Sequence, residues 1–100
     1  MKVNCASTIQ IKSTHPYSPA DTLKYIRAIV GKKAVVEVAD AATGLDLVSA
    51  AKAAFAVDPS IAITAVALVV NDVELDQSKS LSALGIKDGS SAQIRYVVTI

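Results

Sequence analysis

The amino-acid sequence predicts an α+β domain in which a mixed four- to five-stranded sheet packs on one main helix, with an extra short helix between the first two strands. Three observations carry that expectation. Strand-like and helix-like segments alternate through the first half of the chain, and the second half reads as strands and turns alone. Two capping patterns, Ser18 with Asp21 and Thr43 with Asp46, mark helix starts. The chain has 100 residues, 52% hydrophobic and only 4% aromatic, which is enough Val, Ile, Leu and Ala for one compact core and too little for two. A single domain over 1–100 is expected.

Taken in order, residues 6–12 alternate small or apolar with polar side chains and place Ile9 and Ile11 on one face, the period-2 mark of a half-buried strand. His15-Pro16-Tyr17-Ser18-Pro19 then blocks regular structure until Ser18 caps a helix over 19–30. Leu23, Ile26, Ile29 and Val30 form its apolar stripe, Lys24 and Arg27 face away, and Gly31 stands where a helix ends. The β-branched run of 33–39 predicts a second strand with Val36 and Val38 buried. Residues 44–56 follow as an amphipathic helix burying Leu47, Val48, Ala51, Ala54 and Phe55, and Asp58-Pro59 is expected to stop it. Residues 65–70 are the strongest strand candidate, turning at Asn71-Asp72 into the very short strand Val73-Glu74-Leu75. A helical turn at 80–86, a reverse turn at 87–90 and a last strand over 92–100 complete the chain.

From Lys33 onward, and most clearly in Leu68-Val69-Val70-Asn71-Asp72-Val73-Glu74-Leu75 and Lys79-Ser80-Leu81-Ser82-Ala83-Leu84-Gly85-Ile86-Lys87-Asp88-Gly89-Ser90, the sequence resembles ubiquitin-like (β-grasp) domains over about two thirds of its length. The resemblance implies that Leu81 and Ile86 plug the open end of the core and that Leu75 seals its edge. It also implies a recognition patch on the outer sheet face, whose positions fall here on Val69, Gln93 and Arg95. The chain departs from the family in the helix inserted near 14–32. It departs again where it closes Tyr96-Val97-Val98-Thr99-Ile100 instead of Gly-Gly, so conjugation is not expected of it as it stands. A C-terminally activated modifier would require an extension to Gly-Gly.

Composition and charge exclude several function classes. A net charge of +1, without an Arg-rich run or interleaved aromatics, gives no reason to expect nucleic acid. The first residues turn polar too soon for a signal peptide, and the longest charge-free apolar stretch, Ile61 to Val70, is about half of the ~20 residues a membrane span needs. Cys5 stands alone, so no disulfide framework is expected and a cytoplasmic setting is the default. Cys5 with His15 lacks the orienting third group of a nucleophilic site. Asp72, Glu74 and Asp76 lack a calcium-loop pattern, and Gly85 and Gly89 are turn residues outside any phosphate-binding loop. No enzyme activity, cofactor, metal or small-molecule substrate is therefore expected.

What remains is a non-enzymatic protein-protein interaction module, with Val69, Gln93 and Arg95 as contacts and Lys24 and Arg27 on the inserted helix adding private specificity. A second expectation comes from charge segregation: residues 1–33 carry six cations against Asp21 alone, and residues 34–100 carry eight acids against four cations. Lys12 facing Asp72, Glu74 and Asp76 of another copy would give weak head-to-tail self-association, open-ended if the rotation does not close.

Overall fold

Val3, Cys5 and Ser7 alternate with Lys2, Asn4 and Ala6, and this alternation extends the first strand further toward the start than the segment 6–12 alone predicts. In the computed structural model, which describes residues 1–12 and 19–99 and the side chains of 1–12 and 22–99, strand β1 runs Lys2–Lys12 with Val3, Cys5 and Ser7 buried. Helix α1 (Pro19–Ile29), strand β2 (Lys33–Glu37), helix α2 (Gly44–Phe55) and strands β3 (Ile63–Val70), β4 (Val73–Glu74) and β5 (Ser91–Thr99) follow. The expected Ser18–Asp21 cap and the loop holding His15 lie outside the described residues.

The protein is an α+β domain with one mixed sheet, ordered β2-β1-β5-β3-β4. β1 and β5 pair in parallel at its centre, and every other neighbour is antiparallel. Both helices cover the same face. α2 packs over β2 and β3, whereas α1 packs on β1, where the Ser7 hydroxyl donates to the Ile29 carbonyl at 2.5 Å. The core between sheet and helices holds Val3, Cys5, Val36, Leu47, Phe55, Leu68, Ile94 and Tyr96. As the resemblance implied, Leu81 and Ile86 are buried in it and Leu75 packs half-buried against it.

Local chemistry explains the boundaries. Thr43 caps α2: its hydroxyl accepts from the Asp46 N–H at 3.3 Å while the Asp46 carboxylate accepts from the Thr43 N–H at 3.0 Å. The far end of α2 corrects the sequence reading. Ala56, in the left-handed conformation at φ 47°, donates its N–H to the Lys52 carbonyl and ends the helix before Asp58-Pro59 is reached, and Ala54 is exposed. β2 stops at Glu37, two residues earlier than expected. Leu23 on α1 is 50% exposed and Val30, just past its end, 41%, so the buried stripe is narrower than the apolar spacing implied and centres on Ile29.

At Asn71 (φ 52°) and Asp72 (φ 64°) two left-handed residues make the tight hairpin between β3 and β4, a turn whose twist matches that of the strands. Residues 80–86 make the expected short helical turn: the Leu84 N–H donates to the Ser80 carbonyl four residues back and the Gly85 N–H to the Ser82 carbonyl, before the Ile86 N–H closes the segment onto the Leu81 carbonyl. Among the described residues no helix is long and apolar enough to cross a membrane.

Candidate functional site

The sheet face turned away from the helices carries exposed polar groups beside a buried strip, and one of these groups, the Asn4 side-chain amide, donates to the Gly89 carbonyl at 3.3 Å. Its rows follow from register: Asn4 beside Ser91; Ala6, Gln93, Val69 and Glu74 across four strands; Thr8, Arg95 and Ala67; then Lys12 beside Thr99. On the β2 side, Val35 pairs with Asn4 and Lys33 with Ala6. Short side chains at Asn4, Ala6 and Ser91 leave a groove of about 700 Å³ at one end of this face, rimmed by Lys33 and Val35 on one side and by Asn71 and Asp72 on the other. Gln93 stands in it, exposed. The groove thus offers amide and hydroxyl groups along its floor and opposite charges on its two rims.

Each residue expected from sequence now has a place. Val69 and Gln93 are register partners on the outer face, as the resemblance implied. Val69 is nevertheless fully buried, so it is part of the floor and not an exposed apolar contact; it shares with Ala67 and Val97 a buried strip lying outside the main core. Arg95 is half-buried one step further along β5, beyond the groove lining. Lys24 and Arg27 are exposed on α1, on the opposite face of the sheet. The five residues therefore do not form one surface: Gln93 and Arg95 face one way, Lys24 and Arg27 the other.

The charge-segregated residues separate lengthwise. Lys12 ends β1 beside Thr99, while Asp72 stands at the hairpin that closes the other end of the sheet, along a molecule 43 Å long. The hairpin is not a bare acidic cluster. Asp76 accepts from the Ser78 hydroxyl at 2.6 Å and from the Ser78 N–H at 3.0 Å, and these bonds hold its carboxyl below the usual aspartate range. Among the described residues no group of three His, Cys, Asp or Glu is placed to hold a metal ion.

Cys5 points into the core, its thiol directed to the Val3 carbonyl at 3.8 Å, and burial pushes it up to about 11. A thiol held protonated at neutral pH is a poor nucleophile. A smaller groove lies between α2 and the free margin of β3, lined by Leu45, Ser49, Lys52 and Thr64 and spanned by Gln77, whose amide donates to the Val66 carbonyl at 2.8 Å. Asn4, Ser91 and Val35, which shape the main groove, escaped the sequence reading. Each is unremarkable in its own segment, and only the β2-β1-β5 register brings them together.

No protein-family model matches this sequence, and no curated protein is significantly similar to it.

Proposed function

We propose that this chain is a ubiquitin-like β-grasp module that works by binding another protein on the outer face of its sheet. The observation that carries the reading is the outer-face groove, with Gln93, Asn4 and Ser91 on its floor and Lys33 and Asp72 on opposite rims. Such a surface suits an extended polar segment of a partner, which can hydrogen-bond to the floor while the rims fix its direction through charge. The β-grasp assignment is supported by the strand order β2-β1-β5-β3-β4 with a parallel central pair and a capped helix across one face. A non-enzymatic role agrees with the buried, protonated Cys5, and a free cysteine suits a reducing cytoplasmic setting.

The test is site-specific photocrosslinking from Gln93 and, separately, from Arg27. A protein partner joined at Gln93 and lost when Lys33 and Asp72 are both charge-reversed is the expected result. Partner capture at Arg27 with none at Gln93 would move the interface to α1 and reject the groove.

Head-to-tail assembly is a second reading, favoured by the placement of Lys12 and Asp72 at opposite ends of the long axis. Contacts between exposed charges are screened over ~8 Å at physiological ionic strength, so assemblies of this kind should grow at low salt and dissolve at high salt.

A further inference from the structure

Among the described residues β2 is an edge strand, bonded to β1 on one side. The parity of that ladder is fixed at both ends: the Val38 N–H donates to the Met1 carbonyl and the Ser7 N–H to the Lys32 carbonyl, each at 2.9 Å. With Val3 opposite Val36 and Cys5 opposite Ala34, the even-numbered residues of β2 therefore spend their main-chain groups on β1. The odd-numbered residues Lys33, Val35 and Glu37 direct theirs to the open margin, where no hydrogen bond engages them among the described residues. The same three residues carry their side chains on the outer face, all exposed, and Val35 at 65% is the most exposed large apolar residue described.

An open margin of this kind invites another strand. Its side chains specify which one. We infer that β2 pairs with β2 of a second copy, antiparallel and centred on Val35. Around that centre Val35 faces its own counterpart, and Lys33 of each copy faces Glu37 of the other, so both charges are matched twice by symmetry. All three facing positions have their N–H and C=O turned outward, which makes each a hydrogen-bonded pair of the antiparallel ladder. Sliding the strands by two residues in either direction brings Val35 against a charge and removes the match, so one register is selected. The product is a closed two-fold dimer with one continuous ten-stranded sheet, distinct from the open chains of a head-to-tail contact.

Two five-residue edges cover less than the ~1,200 Å² of a stable interface, so the dimer is a weak one, expected at concentrations on the order of micromolar to millimolar. The inference does not rest on the groove's role as a binding site. Sedimentation velocity over a concentration series, with amide exchange followed in parallel, tests it. Mass should rise to two copies and stop there, and the Lys33, Val35 and Glu37 amides should slow as it does. Lys33→Glu alone and Glu37→Lys alone should each weaken dimerisation by at least about tenfold, since like charges then face each other twice. The double variant Lys33→Glu/Glu37→Lys should restore it. A monomer up to millimolar concentration, mass that grows past two copies, or a double variant no better than the singles would overturn the inference.

Discussion

Helix α2 buries Gly44, Leu47, Val48, Ala51 and Phe55 against the sheet, while helix α1, on the same face, buries only Ile29 fully among its described side chains and leaves Leu23 half exposed. The two helices are close in length, and α1 has the stronger segregation of polar and apolar residues along its sequence. Among the described residues, their ends are tied by different partners. At the start of α2 the Thr43–Asp46 box is supplemented from outside, because the Gly44 and Leu45 amides donate to the Lys79 and Gln77 carbonyls at 3.0 and 2.9 Å. These bonds bind α2 to the segment that also delivers Leu81 to the core. Helix α1 is tied at its far end, by the Ser7 hydroxyl on the Ile29 carbonyl and by the left-handed Gly31 that ends it. Amphipathicity therefore says that a helix lies on a surface, and the side chains it buries say how deeply.

The comparison breaks most easily in the core. Leu47→Ala should cost about 2–5 kcal/mol in denaturant unfolding, because a fully buried side chain leaves a cavity, whereas Leu23→Ala should stay within about 0.5 kcal/mol. Equal losses at the two positions would show that α1 is as deeply built into the fold as α2. Amide exchange gives the same contrast without substitution: α1 should open ahead of α2.

Gly44 gives the next effect. A Cβ there would lie 2.9 Å from the Cα of Gln77 and 3.1 Å from the Leu68 methyl, and the first of these is backbone that cannot swing aside. Alanine is the better helix former by up to about 1 kcal/mol, so propensity and contact oppose each other. Contact should win, with Gly44→Ala losing about 1–3 kcal/mol. A stabilised variant would mean that the approach of the 77–79 segment is loose and that α2 is held by its buried stripe alone.

These two helices also show what the sequence could and could not convey. The Thr43 box was legible because its partners lie three residues apart, and the Asn71-Asp72 hairpin because both residues tolerate left-handed backbone. Leu81 and Ile86 were placed in the core by their resemblance to a known pattern. The close approach at Gly44 and the depth of Val69 depend on contacts between distant segments, which no local spacing encodes. The groove is the extreme case. Asn4, Val35 and Ser91 come from three strands, and two short floor residues and an apolar rim make a groove only because they are neighbours across the sheet.

Effects near 1 kcal/mol sharpen the contrast further. Thr43→Ala removes one side of the capping box and should cost about 1 kcal/mol, read from the same unfolding curves. Tyr96→Phe should act in the opposite direction. Tyr96 stands in register with Ile9 and Val66, its hydroxyl is buried with no hydrogen-bond partner among the described residues, and the same burial raises its pKa. Deleting an unsatisfied buried hydroxyl should therefore gain about 1 kcal/mol. A loss instead would reveal a partner for that hydroxyl in solution.

The smallest effect falls at the acidic hairpin and concerns charge. Asp76 is held below the usual aspartate range, first by the Ser78 hydroxyl and then by the Ser78 N–H. A carboxyl whose folded-state pKa is depressed contributes stability that is present above its unfolded value of ~3.9 and is lost as pH falls through the lower folded one. Ser78→Ala removes the stronger of the two donors and leaves the N–H in place. In an NMR titration the Asp76 pKa should then move up but stay below the ordinary value, while that of Asp58, lowered first by the Ser60 N–H and then by the Ser60 hydroxyl, should not move. An unmoved Asp76 would assign its depression to the backbone alone. The turn would then hold its charge whatever side chain stood at 78, and Asp76 would be as fixed a feature of the hairpin as Asp72 in its left-handed turn.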